Sequence, residues 1–401
     1  MIILFIYWLL FFIGIISLLG CIAALITMGL RFRELIQDTS HSESVASLSM
    51  IVPLKGVDDF TASHLNALVE SVVDVPVEFL FVMESLSDPA YVICQNVREH
   101  HPEKDIRIIL SGPALGRMGK QHNLAVATQQ ARYAVIGSMD ADVLVKPGTL
   151  AVGLRYVALS STGVAYFLPV YTGPGPSGGL LVALYNNYYY QLYMGSLALA
   201  VNAPFITGAL WLIRKASLQQ IGGLQQFSAI VSDDAAIGRA IRQQKLKNVL
   251  IPQTVRIPFE QVDLARGGKQ LLKWIAMLRA EGIPTFLAIL LSWHPTLWSC
   301  ISLIVSLLLL SSHELYLTYS TSLLISALLV KVVGAFTLNR RIYSISGVRN
   351  LFFLPVYELV AVPILFGKGF FQHTIEWRGR RYRLGRHGII QAMSEQEPIS
   401  S

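Results

Sequence analysis

Asp140 and Asp142 directly follow the apolar run YAVIGSM. Residues two apart in an extended chain point the same way, so the two carboxylates can converge on one ion. Hard divalent cations are bound by one or two carboxylates together with phosphate oxygens. The pair therefore predicts a site for Mg²⁺ or Mn²⁺ and a diphosphate. A plain turn or helix cap is the alternative, because aspartate favours both.

Other acids also follow apolar runs or precede helices. Glu84 ends the run VEFLFVME, and Asp88 lies four residues further on. Asp233 and Asp234 precede the helical pattern AAIGRAIRQQ, where either of them can cap the helix and leave the other for chemistry. These positions, together with Asp140, suggest several carboxylates near one site.

The order of the elements explains why these acids would meet. Apolar runs that predict strands alternate with helical patterns: SVASLSMIVP, HLNALVESVVDV, VEFLFVME, PAYVICQNVREHH, DIRIIL, GKQHNLAVATQQA and YAVIGSM. Such alternation predicts an α/β fold with a mostly parallel sheet and right-handed crossovers. Ligands of these sheets bind at the carboxyl ends of the strands, where the acids lie.

Apolar segments flank this region. Residues 2–30 carry no charge and are followed by RFR, which predicts an uncleaved N-terminal anchor (1–33) whose C-terminal end faces the cytoplasm. Further apolar spans are expected at about 284–311, 315–338 and 350–367. We therefore expect a cytoplasmic domain at 45–283, a C-terminal transmembrane region at 284–367 and a basic membrane-proximal tail at 368–401.

Charge and cysteine content exclude other classes. The net charge is +7, but the basic residues cluster beside apolar spans, where they favour contact with anionic lipid over nucleic acid. Cys21, Cys94 and Cys300 are too scattered for a disulfide framework or a zinc site. Repeated spans, typical of transporters, are not apparent.

Taken together, the chain resembles ceramide glucosyltransferases and related family 21 membrane glycosyltransferases. The resemblance rests on short motifs in a common order: PLKGVD, SDPA, GKQHNL, MDAD, TGALWLIRK, GGLQQFSAIVSDDAAIGRAI, QLLKW, YELVAVP and WRGRRYRL. It implies a GT-A domain that binds a UDP-sugar, a divalent metal, Mg²⁺ or Mn²⁺, and an integral, multi-pass membrane protein whose catalytic domain faces the cytoplasm.

The resemblance also implies roles for single residues. Those expected to bind the nucleotide sugar are Lys55, Glu84, Asp88, Lys120, Asn123 and Asp140. Asp140 and Asp142 would hold the metal, and Asp234 would be the catalytic base. The closing motif would be Gln270, Lys273 and Trp274, in which Lys273 stands where the family usually has arginine. Lysine keeps the charge but loses the planar fork that suits a diphosphate.

The implied reaction is the inverting transfer of a sugar, with glucose favoured, to a membrane lipid hydroxyl, with a ceramide-type acceptor favoured. A UDP-N-acetylglucosamine-dependent enzyme that acts on hopanoids or other lipids, and an inactive binding protein, are the alternatives. A processive polysaccharide synthase would usually have more spans.

Three apolar regions leave alternatives open. The tyrosine-rich segment at 180–205 fits either an interfacial segment near the lipid or a buried helix. Glu358, inside the last span, is expected to pair with an arginine at the membrane edge. Three C-terminal spans would put the arginine-rich tail outside. A re-entrant last span, with Pro355 and Pro363, would keep it inside.

Overall fold

The computed structural model describes residues 1–37, 47–72, 75–172, 177–259, 262–309, 314–345 and 348–393. The predicted domain start at residue 45 and the tail beyond residue 393 lie outside these ranges. Two compact units divide the chain. The helical unit comprises Met1–Phe32, Tyr171–Leu197 and Phe259–Gln372, and the sheet unit comprises Arg33–Val170, Ala198–Pro258 and His373–Ser401.

The described strands follow one another along the chain. They are β1 Leu48–Pro53, β2 Val77–Met83, β3 Asp105–Leu110, β4 Val135–Met139, β5 Thr162–Thr172, β6 Leu210–Arg214, β7 Lys247–Pro258, β8 Thr374–Trp377, β9 Arg380–Leu384 and β10 Ile390–Ala392.

The described α-helices are α1 Ile2–Gln37, α2 Thr61–Glu70, α3 Ala90–His100, α4 Gly119–Gln130, α5 Thr149–Ala158, α6 Ser177–Tyr185, α7 Gln191–Val201, α8 Lys215–Gln220, α9 Asp233–Gln243, α10 Leu264–Glu281, α11 Ile283–Ser292, α12 Pro295–Leu309, α13 Glu314–Leu338, α14 Leu354–Val356 and α15 Val362–Phe371. Short π-helical segments are Asn186–Tyr190, Asn339–Tyr343 and Tyr357–Ala361. Short 3₁₀ segments are Gln225–Phe227, Val348–Phe353 and Arg386–Gly388.

The main sheet confirms the predicted α/β fold. Its strand order is β3-β2-β1-β4-β6-β5-β7. β1 pairs in parallel with both β2 and β4, and β2 pairs in parallel with β3, whereas β6 runs antiparallel to β4 and β5. All five residues of β4 are buried, as expected for a strand with both faces covered. Asp140 directly follows this strand.

The helical unit contains the apolar helices that the sequence predicted. Among the described residues, three helical segments are long and apolar enough to cross a membrane: Ile2–Phe32, Glu314–Tyr343 and Arg349–Phe371. A fourth candidate is the pair Ile283–Ser292 and Pro295–Leu308, bent by 72° at its break. One candidate is N-terminal and the others follow α10.

Small residues let α1 and α13 pack closely. A Cβ atom built on Gly334 would lie 2.4 Å from Leu25 Cδ1, and one built on Gly14 would lie 3.0 Å from Leu323 Cδ2. At the other end, Tyr7 donates to the Tyr316 carbonyl oxygen at 3.1 Å. Residue numbers rise together along the two helices, so α1 and α13 run parallel. Glycine at such contacts is typical of membrane helix pairs.

A buried ion pair lies inside the helical unit. Lys331 Nζ is 3.6 Å from Glu358 Oε2, with both side chains at most 3% exposed. Glu358 also accepts hydrogen bonds from the Tyr189 hydroxyl (2.8 Å) and the Leu297 N–H (3.0 Å). The prediction that Glu358 pairs with an arginine at the membrane edge is therefore wrong. A lysine in mid-helix compensates the charge instead.

The tyrosine-rich segment continues from helix α6 through a π-helical turn into α7. Tyr185, Tyr188, Tyr189 and Tyr193 are each at most 5% exposed. Tyr193 stacks on Trp293 with ring centroids 4.7 Å apart. The structure thus agrees with the buried-helix alternative for these tyrosines.

The C-terminal tail is folded over its described residues, up to residue 393. Strands β8, β9 and β10 form a small antiparallel sheet that belongs to the sheet unit. The sequence predicted only a basic segment close to the membrane. Arginines in a sequence do not reveal which residue they contact when that residue lies almost three hundred positions away.

Candidate active site

Asp140 and Asp142 lie at the carboxyl end of β4, as predicted. The Asp140 N–H donates to the Ala209 carbonyl oxygen (2.9 Å), and Val143 N–H donates to the Asp140 carbonyl oxygen (3.1 Å), so the backbone makes a turn here. One carboxylate oxygen of Asp142 is buried without a hydrogen-bond partner. Burial and the neighbouring Asp140 charge raise the pKa of Asp142 to about 6. Two crowded carboxylates of this kind favour the arrival of a cation.

Lys120 lies among these acids. Its Nζ is 2.5 Å from Asp140 Oδ1 and donates to the Gly208 carbonyl oxygen at 3.3 Å. Burial alone would lower the pKa of Lys120, but the charges of Asp140 and Asp233 outweigh it and raise the pKa. The ammonium group therefore stays charged and joins α4 to the turn that contains Asp140 and Asp142, here called the Asp-x-Asp turn.

Asp233 and Asp234 occupy the first turn of α9, where negative charge is favourable. Asp233 is 7% exposed, and burial raises its pKa against the opposing effect of Lys120. Asp234 is half-buried and accepts from the Ala235 N–H at 2.8 Å. A Cβ atom built on Gly208 would lie 3.5 Å from both Asp234 Oδ2 and Lys120 Nζ, which brings the α9 acids beside Lys120.

His64 supports the Asp-x-Asp turn and was not predicted. Its Nδ1 lies 3.3 Å from the carbonyl oxygen of Ala141, the residue between the two acids. A carbonyl only accepts, so Nδ1 carries the proton. Burial lowers the pKa of His64, which favours the neutral ring. His64 is a single histidine in the helical pattern of α2. Nothing in that pattern indicates a contact with a residue 77 positions away.

Asp88 organises the loop after β1. It accepts from the Gly56 N–H at 3.0 Å and from the Ala90 N–H at 3.1 Å. Gly56 has φ +67°, a conformation that glycine adopts without strain. Lys55 is more exposed, and its Nζ lies 4.0 Å from Asp88 Oδ2. The predicted pair Lys55 and Asp88 is therefore adjacent, with Asp88 holding the loop that carries Lys55.

Asn123, which was predicted to contact the nucleotide, is bonded to the protein at the edge of the sheet. It is 2% exposed. Its Nδ2 donates to the carbonyl oxygens of Leu54 and Val82, and its Oδ1 accepts from Ser111 at 2.6 Å. These bonds join the chain segments that leave β1, β2 and β3. A buried amide with both polar atoms bonded to protein stabilises the edge of the sheet.

Glu84, which was predicted to bind the nucleotide sugar, pairs with an arginine. Both carboxylate oxygens accept from Arg380 of the C-terminal tail, at 2.7 and 2.6 Å. Burial would raise the pKa of Glu84, but the Arg380 guanidinium outweighs it and holds the pKa below its usual value. Glu84 therefore anchors the tail, and the expected contact with uridine is not required to explain its charge.

Gln270, Lys273 and Trp274 lie on α10, in the helical unit. Spacings of three and four residues put them on one face of the helix. All three are half-buried, and the Trp274 ring packs edge-on against Tyr171 with centroids 5.9 Å apart. The three side chains thus share one partly buried face of α10, and their role in the closing motif stays a prediction.

The Asp-x-Asp turn fits a divalent cation. The unpartnered, buried Asp142 oxygen and the adjacent Asp140 supply hard oxygen donors. Within the described residues, no group of three or more His, Cys, Asp or Glu side chains forms a complete metal site. Two carboxylates would therefore need phosphate oxygens and water to complete the coordination, as is common for Mg²⁺.

Comparisons with known proteins find a sequence family and relatives that match most of this chain. The sequence model described as "Glycosyl transferase family 21" matches residues 11–390. Ceramide glucosyltransferase 1 of Caenorhabditis elegans is 20% identical over 367 residues, covering 89% of this chain and 75% of that protein. Ceramide glucosyltransferase 3 of the same organism is 20% identical over 362 residues, covering 87% and 75%.

Solved structures show similarity too. The mannosyltransferase PcManGT from Pyrobaculum calidifontis, in complex with GDP-Man and Mn²⁺, gives a TM-score of 0.48 at 17% identity, covering 89% of this chain and 98% of that one. GalNAc-T7 with UDP, GalNAc and Mn²⁺ gives 0.41 at 12% identity, covering 54% and 43%.

Proposed function

This chain belongs to glycosyltransferase family 21, and from that premise we propose that it transfers glucose from UDP-glucose to the hydroxyl of a ceramide-type membrane lipid, with inversion at the sugar carbon. One observation carries the proposal: Lys120 joins Asp140 at 2.5 Å and lies beside the acids that begin α9. The names of the similar C. elegans proteins support the choice of donor sugar and lipid.

The donor would bind at the carboxyl end of the sheet. Lys55 lies on the loop after β1, and Lys120 begins α4, so both offer positive charge to phosphate oxygens. Asp140 and Asp142 would hold Mg²⁺ or Mn²⁺, which neutralises charge on the departing diphosphate. His64 keeps the turn that carries both acids in place.

The acceptor hydroxyl needs a base. We assign this role to Asp234, which is half-buried at the start of α9, whereas Asp233 is almost fully buried. As the hydroxyl oxygen bonds to the anomeric carbon, its proton passes to Asp234 and the bond from that carbon to the diphosphate oxygen breaks, releasing UDP. A single in-line displacement converts an α-linked donor into a β-glycoside.

The α10 face is assigned to the leaving group and acceptor. Gln270, Lys273 and Trp274 match the family's closing motif, with lysine in the place of arginine. Lys273 would contribute a point charge without a bidentate fork. The apolar candidate spans support a lipid acceptor, because they keep the protein in the membrane where a ceramide hydroxyl is available.

The sheet unit is assigned to the cytoplasm. α1 is uncharged from Ile2 to Leu30 and carries Arg31 and Arg33 directly after this stretch, and basic residues beside a span favour the cytoplasmic side. UDP-sugars would then reach the site from the cytoplasm.

Transfer by membranes that contain the protein tests the proposal. Labelled UDP-glucose and UDP-N-acetylglucosamine are each supplied with Mn²⁺ or Mg²⁺, and with ceramide or a hopanoid. We expect a β-glucosylated ceramide that disappears with a metal chelator. A product formed only from UDP-N-acetylglucosamine and a hopanoid would show that these are the donor and the acceptor, in place of UDP-glucose and ceramide. UDP binding without any product would indicate a binding protein.

A further inference from the structure

The tip of the C-terminal hairpin holds an arginine in an unusual conformation. Trp377 pairs with Arg380, so Arg378 and Gly379 form a two-residue turn between β8 and β9. Their φ angles are +50° and +77°. Turns of this kind require positive φ at both positions and favour Asn-Gly or Gly-Gly. Arginine there is strained, and strained residues retained in a fold cluster at functional sites.

Arg380 fixes this hairpin next to the site. It binds Glu84, the residue that directly follows β2, through two hydrogen bonds of 2.7 and 2.6 Å. Its Nη1 would also lie 3.3 Å from a Cβ atom built on Gly119, the first residue of α4. Lys120 is the next residue along that helix. The hairpin tip is thus held at the same sheet edge as the metal-binding carboxylates.

A second attachment fixes the end of the tail. Val231 N–H donates to the Gly388 carbonyl oxygen at 2.8 Å, and Ile390 N–H donates to the Ala229 carbonyl oxygen at 2.9 Å. The segment 229–231 leads directly into Asp233 and Asp234. The tail is therefore attached at two places, at Glu84 through Arg380 and beside α9 through Gly388 and Ile390, and the hairpin tip directly precedes the first of them in sequence.

Arg378, at the tip of the hairpin, has a different environment from Arg380. Arg380 is paired with Glu84, whereas the Arg378 side chain is exposed. Arg378 lies two residues before Arg380, whose guanidinium contacts Glu84 after β2 and approaches Gly119 at the start of α4. An exposed guanidinium at this edge of the sheet is suited to bind an anion that a divalent metal held by Asp140 and Asp142 would bring in.

We propose that Arg378 binds the diphosphate of the nucleotide-sugar donor, so that the C-terminal tail forms part of the donor site. This inference rests on the proposed function. The planar fork of arginine binds two phosphate oxygens at once, which Lys273 in the closing motif cannot do. Arg380 is a positioning residue that holds the hairpin through Glu84.

Binding of UDP to the purified full-length protein in detergent tests the proposal, by titration calorimetry with Mn²⁺ present. Arg378→Asn gives the turn its favoured Asn-Gly pair and removes the guanidinium, so the hairpin stays folded or gains stability. We expect UDP affinity to fall by about tenfold or more, the scale of one charge-assisted hydrogen bond. Arg378→Lys should recover part of that loss. Arg383→Ala, an exposed arginine further along β9, is the matched control.

The outcomes separate this inference from the proposed function. UDP affinity within twofold of wild type for Arg378→Asn would overturn the role of Arg378 and leave the glycosyltransferase assignment intact. An equal loss for Arg383→Ala would also overturn it, since a general effect of positive charge would then explain the data. Absence of UDP binding by wild type would instead contradict the proposed function. Unchanged melting temperatures exclude unfolding as the cause.

Discussion

Glu78 shows how one buried charge contributes to the sheet unit. Its side chain is fully buried. It accepts hydrogen bonds from Ser49 (2.6 Å) and from the backbone N–H (2.6 Å) and Nε (2.8 Å) of Arg132. Arg107 adds a bond of 3.1 Å. Burial alone would raise the pKa of Glu78, but these hydrogen bonds outweigh it and hold the pKa below its usual value.

Stability should therefore depend on the ionised form of Glu78. A lowered native pKa stabilises the folded state above the unfolded value of about 4.3, and this contribution is lost as the pH falls through the native pKa. Glu78→Gln should lower the free energy of unfolding by about 1–3 kcal/mol at pH 7. The difference from wild type should shrink towards pH 4. Thermal unfolding in detergent measures it.

The exposed Glu99 on α3 provides the control, because Glu99→Gln should leave the melting temperature unchanged at both pH values. A loss for Glu78→Gln that is the same at pH 7 and pH 4 would show that the amide disturbs packing and that ionisation contributes nothing.

Individual site residues were predictable from sequence when their signal was local. Asp140, Asp142 and Asp234 follow a strand or begin a helix, and short motifs mark such positions. Asn123 and Glu84 were placed near the right sheet edge, but their partners, Ser111 and Arg380, could not be identified. A hydrogen bond between distant segments depends on tertiary packing and leaves no periodic pattern.

At the scale of elements, the alternation of apolar runs and helical patterns matched the structure closely. The run VEFLFVME became β2 (Val77–Met83), and GKQHNLAVATQQA became α4 (Gly119–Gln130). β6 was missed as an antiparallel strand, because a short buried strand has the same apolar composition in either direction. The tail sheet was missed because its strands are rich in arginine.

The ion pair between α13 and the π-helical segment Tyr357–Ala361 gives a prediction for the helical unit. Lys331→Met or Glu358→Gln alone should destabilise the unit, by about 3–5 kcal/mol, since each leaves a buried partner without compensation. The double variant should recover much of this loss. Melting temperatures in detergent, analysed as a double-mutant cycle, measure the coupling.

Lys368→Met is the matched control for that cycle, because Lys368 lies exposed on α15. Its melting temperature should equal that of wild type. Additive losses in the double variant would contradict a direct interaction between Lys331 and Glu358.

For the whole molecule, helix directions determine the side of the membrane on which each segment ends. α13 runs parallel to α1, so the C-terminal ends of these two helices lie on the same side. A Cβ atom on Gly20 would lie 3.6 Å from the Ser292 carbonyl oxygen, and one on Gly14 would lie 3.5 Å from Ser299 N. The chain from α11 to α12 therefore runs opposite to α1.

The tail belongs to the sheet unit, and Arg349–Phe371 connects α13 to it. We therefore predict that this segment enters and leaves the membrane on the same side, although it is long and apolar enough to span. If the sheet unit faces the cytoplasm as proposed, Arg340 and Arg341 would lie on the cytoplasmic side, in accord with the positive-inside rule.

Cysteine labelling of sealed vesicles tests this topology in a protein without its native cysteines. Leu315→Cys should react with a membrane-impermeant maleimide from the side opposite to Arg383→Cys. Arg349→Cys should react from the same side as Arg383→Cys. Reaction of Arg349→Cys from the Leu315 side would show that Arg349–Phe371 crosses the membrane.

The most direct test of the proposed active site, at the carboxyl ends of the sheet strands, is the transfer reaction measured with matched aspartate variants. Purified wild type, Asp234→Asn and Asp105→Asn are compared with UDP-glucose, Mn²⁺ and ceramide. Asp105 begins β3 at the opposite edge of the sheet and pairs with Arg132. Loss of a general base costs about 10²–10⁴-fold in rate, so we expect this loss for Asp234→Asn and near-wild-type transfer for Asp105→Asn. Equal activity of Asp234→Asn and wild type would contradict the assignment of the base and of the site around it.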